Sequence, residues 1–147
     1  MYNCNGGKIK LKDIKFRAYI KKLNWIVPVE RINFDCKTIE VDLSEGNGDT
    51  SEYNFNEVEL MQYTGLKDDN GVTIFEGNII KQDGWPDVFY LIIFKDCKFI
   101  AKKIGHHDGD IFTQRDIDLD AVLWPVIVGN KYDNPELLDE CIKRGAC

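Results

Sequence analysis

Apolar runs in this chain are short, and turn signals interrupt them about every ten residues. That spacing predicts a mainly β body, α+β at most, built from several β-hairpins. The clearest hairpin lies at the centre. Two apolar runs flank Asp69-Asn70-Gly71, where Asx side chains bond their own backbone and glycine accepts positive φ. Glu76-Gly77-Asn78 then reads as a second turn feeding the strand Ile79-Ile80. A phosphate loop would need a glycine-rich turn into a helix, whereas the run after this turn is β-like. An EF-hand counted back from Gly71 would place Leu66, not an acid, at its first position.

Along the chain, residues 14–20 alternate apolar and charged side chains, as in a half-exposed strand. Trp25 to Val29 is β-like, but Pro28 has no N–H to donate, so this strand is expected at an edge or broken there. Residues 32–34 and 38–43 should pair around Asp35-Cys36-Lys37. The polar, glycine-rich stretch 44–51 is a loop. Val88 to Phe94 is continuously apolar and reads as a central strand buried on both faces. Lys98 to Ile104 should pair back onto it, and Gly105 to Asp110 forms another loop. Residues 134–144 read as a C-terminal helix. Asn134 is the cap, Pro135 the first helical residue, Leu137, Leu138, Cys141 and Ile142 the apolar stripe, and Gly145 the stop.

The domain reading is one folded unit, 14–147, behind a flexible basic segment, 1–13. Within the unit, 14–57 forms an N-terminal β subdomain, and 58–130 forms an SH3-like barrel portion ahead of the helix. The net charge of −6 is unevenly spread. Residues 1–22 hold seven basic side chains against Asp13 alone, so the remainder carries −12. A basic arm on an acidic body binds nucleic acid or docks on an acidic protein surface. No apolar run approaches a membrane span, and Asn3 to Lys12 lacks the apolar core of a signal peptide. A cytoplasmic protein is therefore expected, with no membrane association. The five cysteines, Cys4, Cys36, Cys97, Cys141 and Cys147, form no Cys-x-x-Cys pair and read as free thiols, some of them buried in strands.

Few residues point to chemistry. His106 and His107 are adjacent, so on an extended segment they face opposite ways, although with Asp108 and Asp110 they could wrap a cation. Asp116, Asp118 and Asp120 would share a face if extended, and such a row can hold Mg²⁺ or Ca²⁺. No Gly-x-Ser-x-Gly elbow is present. The residues expected to carry an interaction are Trp85, held in a turn between Gly84 and Pro86, and Tyr19 and Trp25, which flank Lys21 and Lys22.

Three blocks resemble the YopX family of phage and prophage proteins. They are Ile14-Lys15-Phe16-Arg17-Ala18-Tyr19, the stretch from Leu60 through Gly65-Leu66-Lys67-Asp68 and Asn70-Gly71 to Glu76-Gly77-Asn78-Ile79-Ile80, and Val126-Ile127-Val128-Gly129-Asn130-Lys131-Tyr132-Asp133-Asn134-Pro135-Glu136-Leu137-Leu138. They occur in family order. Asn78 stands where the family often has Asp, and Phe75 where Tyr is common. The resemblance implies a β-rich fold with an SH3-like part and a phage or prophage origin. It carries no catalytic residues or cofactor to transfer. The expected role is a non-enzymatic phage accessory protein acting through self-association or by binding a phage or host protein. The alternatives are a nucleic-acid-binding module using the basic N-terminal region, and a metal-dependent enzyme using the Asp116, Asp118 and Asp120 face.

Overall fold

The computed structural model describes residues 14–44, 46–84, 88–104 and 116–138. The fold is mainly β, with two antiparallel sheets. The first contains β1 (Phe16–Ile20), β2 (Trp25–Asn33), β3 (Thr38–Asp42), β4 (Thr50–Asn54), β5 (Val58–Lys67) and β6 (Thr73–Phe75), in the order β4-β3-β2-β1-β5-β6. The second contains β7 (Asn78–Gln82), β8 (Phe89–Lys95), β9 (Lys98–Ile104), β10 (Ile117–Asp118) and β11 (Pro125–Asn130), in the order β10-β9-β8-β7-β11. Four strands of the second sheet follow as a meander. After a 3₁₀ turn at Leu119–Ala121, the fifth returns to pair with the first, an SH3-like connectivity. The change of sheet falls at Glu76-Gly77, whereas the sequence placed its subdomain seam at 57/58.

Alternation decides the faces. On β1, Ala18 and Ile20 are fully buried with Ile39, Val41 and Val58 in a core made entirely from the first sheet and its connections. The second sheet builds its core from Ile80, Tyr90, Ile92, Ala101, Leu119 and Val122. Ile74 of β6 joins this second core, so the central hairpin packs its tip onto the neighbouring sheet.

Several local expectations need correction. Pro28 lies within β2, an interior strand flanked by β1 and β3. The strand tolerates it because its two halves pair differently. Residues 25–28 pair with β1, while pairing to β3 begins only at Val29 and runs through a bulge to Asn33. Pro28 therefore sits where the β3 side requires no ladder N–H. β8 is central, as expected, but it is buried on one face only. Tyr90 and Ile92 are buried, Phe89, Leu91 and Ile93 are half-buried, and Phe94 is exposed. Cys36 and Cys97 are free and exposed in turns rather than buried in strands. The C-terminal helix begins as expected, with residues 135–138 helical, and its remainder lies outside the described residues. Among the described residues, no helix is long and apolar enough to cross a membrane.

The sheets meet through the turns of the central stretch. β11 is an edge strand of its sheet, with β7 on one side only. The β5–β6 tip covers the other side: Asp69 N–H donates to Pro125 O at 2.7 Å, and Ile127 N–H donates to Asp68 Oδ2 at 3.1 Å. Two edge groups of β11, Pro125 O and Ile127 N–H, are thereby satisfied without another strand. A second junction lies at Gly77, whose N–H donates to Ile92 O while its carbonyl accepts from Lys131 N–H. Asn78, buried beside it, accepts from Phe75 N–H and donates to Gly129 O.

Candidate functional site

β1 alternates, so Arg17 and Tyr19 project from the face opposite Ala18 and Ile20. The register places Arg17 opposite Pro28 of β2 and Met61 of β5, and Tyr19 opposite Ile26 and Glu59. Two features occupy this face.

The first is a clasp to the end of β11. Tyr132 stacks on Tyr19 with ring centroids 3.9 Å apart and planes 9° from parallel. Its hydroxyl donates to Glu59 Oε2. Lys131 Nζ lies 3.4 Å from the same oxygen and 4.9 Å from the Tyr132 ring centre. Burial, then the Glu59 hydrogen bond and charge, push the Tyr132 phenol well above its ordinary value. The Tyr132 hydrogen bond, followed by Lys131, holds the Glu59 carboxyl below its ordinary value. A depressed carboxylate pKa stabilises the fold above the unfolded value, and that stabilisation is lost as pH falls through the folded value. Tyr132→Phe is accordingly expected to flatten the fall in stability on acidification below about pH 5, read by chemical denaturation at a series of pH values. An unchanged acid limb would remove the clasp from the account. The segment that positions Tyr132 is itself fixed: Asn130 Oδ1 accepts from Tyr132 and Asp133 N–H, and Asn134 Oδ1 accepts from Asn130 N–H. The Asn134 side chain fills the space a side chain at Gly129 would need.

The second feature is a groove of about 810 Å³ across β1 and β2. Its walls are mainly apolar. Ile14, Phe16, Ile26, Pro28, Ile32, Phe34 and Phe75 contribute, and Ile14 and Phe34 are 66% and 74% exposed. Lys15, Arg17 and Arg31 supply positive charge against Glu30. Arg31 also reaches Glu40 at 3.4 Å. Arg17 is the unusual member. Its guanidinium lies 4.7 Å from the Phe75 ring centre, its Nη2 donates one long bond of 3.4 Å to Glu76 O, and its buried Nε has no hydrogen-bond partner. Burial lowers its pKa, with Tyr132 and Asp133 opposing the shift in part.

Of the residues expected from sequence to carry an interaction, Tyr19, Lys21, Lys22 and Trp25 fall together on the β1–β2 hairpin. Trp85 lies outside the described residues, as do His106, His107, Asp108 and Asp110. One face of Tyr19 is covered by Tyr132, and its hydroxyl donates to Asn24 Oδ1 at 2.6 Å. Trp25 is 55% exposed. Lys21 Nζ donates to Asn56 O, and Lys22 is exposed. Asp116, Asp118 and Asp120 do not form one extended face. β10 ends at Asp118, Asp120 lies in the following 3₁₀ turn, Lys98 pairs with Asp118 at 2.6 Å, and Lys95 approaches Asp116 at 3.9 Å. A strand of two residues cannot present three alternating acids. Among the described residues, no three His, Cys, Asp or Glu side chains are placed to hold a metal.

Sequence reasoning missed the groove. Arg17 and Phe34 looked like ordinary strand and turn residues, and no local pattern announces a guanidinium left short of acceptors. The isolated cluster of Lys15 and Arg17 in an otherwise apolar stretch was the available signal.

The family model described as YopX protein matches residues 15–139. Among solved structures, the crystal structure of protein EF1440 from Enterococcus faecalis is similar at a TM-score of 0.57 and 27% identity, covering 87% of this chain and 99% of that one. No curated protein matches the chain.

Proposed function

Because the chain belongs to the YopX family, we propose that it is a phage- or prophage-encoded accessory protein that works without catalysis by holding an extended apolar segment of another protein in the β1–β2 groove. The observation that carries this reading is the groove itself. Its volume suits several side chains, its walls are apolar, and large hydrophobic residues at its rim stand exposed. Extended segments gain affinity where alternate side chains enter apolar pockets. Charge supports a partner over the chain's own N-terminal segment. Lys8, Lys10 and Lys12 share the sign of Lys15, Arg17 and Arg31.

The test is selection of binders to the purified protein from a displayed random peptide library. Enriched sequences should be apolar and extended. The double substitution Ile14→Ser with Phe34→Ser should weaken them at least tenfold, because removing two apolar anchors costs several kcal/mol of contact. Both residues are exposed, so the fold should survive the change. Peptides whose affinity ignores that double substitution would refute the groove, as would a library that yields no binder.

A further inference from the structure

Resting on the groove reading, we propose that the bound segment presents a carboxylate, from Asp, Glu or a chain terminus, and that Arg17 reads it. The chemistry follows from how Arg17 is held. A guanidinium has five N–H donors in a planar fork and stays charged. In the free protein it has one carbonyl at 3.4 Å, an aromatic face and an Nε without a partner. Buried cations are normally paired or fully hydrogen-bonded, because desolvation otherwise goes uncompensated.

The neighbours explain why no acceptor among the described residues completes the fork. Pro28 stands opposite on β2 with a hydrocarbon ring, and Met61 stands opposite on β5 with a thioether. Glu59, the nearest acid in the β5 register, is two residues along and committed to Tyr132 and Lys131. Glu76 offers its carbonyl oxygen. Asp133 acts on this cation through its charge alone, with no hydrogen bond to the guanidinium. An incoming carboxylate would meet a weakly hydrated donor in the apolar lining of the groove, through guanidinium N–H groups other than the buried Nε, and a charge-assisted bond there is stronger than at an open surface.

The groove's sign agrees. Among the described lining residues Glu30 is the one acid against Lys15, Arg17 and Arg31, and with Arg31 also paired to Glu40 a positive excess remains that favours an anionic segment on approach. The ligand class that satisfies both the apolar lining and the cation is an extended peptide with bulky apolar residues flanking an acid.

The experiment uses each peptide recovered from the library in two forms, acid and amide, with Glu→Gln or Asp→Asn or an amidated C-terminus. Wild-type protein should bind the acid form at least tenfold tighter. Arg17→Gln should bind both forms equally, at about the wild-type affinity for the amide. Arg17→Lys should retain part of the preference, since it keeps charge and loses the fork. Thermal unfolding of both variants checks that the groove is intact, and the Lys variant keeps the test open if Gln fails to fold. Equal binding of acid and amide by wild type, with sensitivity to the Ile14/Phe34 double substitution retained, would overturn the carboxylate and leave the groove standing. Acid preference that survives Arg17→Gln would assign the recognition elsewhere. Peptide binding that ignores the double substitution would remove the groove itself. Concentration-dependent dimerisation abolished by the double substitution would replace the foreign peptide with a second copy of this chain.

Discussion

Asp68→Ala should lower the unfolding free energy by about 3 kcal/mol, the largest single effect expected of a polar side chain in this fold. The carboxylate is 7% exposed and accepts three backbone N–H groups: Asn70 at 3.0 Å and Val72 at 2.8 Å on one oxygen, Ile127 at 3.1 Å on the other. The first two shape the turn. The third fastens that turn to the edge strand of the other sheet, across 59 residues of sequence. Alanine leaves all three donors without their acceptor. Water can replace part of the loss at Asn70 and Val72, which are exposed, but less of it at half-buried Ile127. Asp68→Asn keeps one oxygen for two donors and should cost about 1–2 kcal/mol. Denaturant titration reads the totals. Amide exchange at Ile127 should quicken more than exchange in the first-sheet core. A loss under about 1 kcal/mol would mean that the sheets dock by apolar packing alone.

Gly77→Ala should cost about 2–3 kcal/mol, by two separable routes. Gly77 has φ +84, a conformation that disfavours any side chain. A Cβ there would also lie 3.0 Å from Met61 Sδ, and Met61 is 1% exposed. Gly71 provides the control. Its φ is +80, but nothing lies within 4 Å of the Cβ site, so Gly71→Ala should show the backbone strain of about 1 kcal/mol without the clash. The difference between the two substitutions measures how firmly Met61 is held between the sheets. Equal losses would place the whole cost in the backbone, with Met61 free to move aside.

These two positions explain much of the central fingerprint. Asn70-Gly71 was legible as a turn because Asx and glycine act on their own backbone within a few residues. Asp68 was not legible as a hub, because its decisive partner, Ile127, belongs to a distant strand. Gly77 was read correctly as a turn, yet the contact that constrains it comes from Met61 on another strand. The closing Gly-Asn-x-Tyr segment behaves alike: local bonds of Asn130 and Asn134 shape it, while Tyr132 acts on Glu59 across 73 residues.

The errors have a shared cause. Pro28 was expected to put its strand at an edge or to break it, because a proline cannot serve a complete ladder; the strand is interior and changes its partner at that residue instead. Asp116 to Asp120 has the alternation of a strand, but the chain turns after Asp118, and Lys95 at the end of β8 and Lys98 at the start of β9 draw two of the acids to that hairpin.

By itself the sequence determined the β class, most hairpins and the family blocks, since strand periodicity and turn chemistry act over a few residues. Tertiary structure alone decided which sheet each hairpin joined, which polar groups fastened one sheet to the other, and that β1 and β2 leave Arg17 under-bonded beside an apolar groove. Those outcomes depend on register between strands far apart in the chain, where a one-residue shift exchanges the two faces.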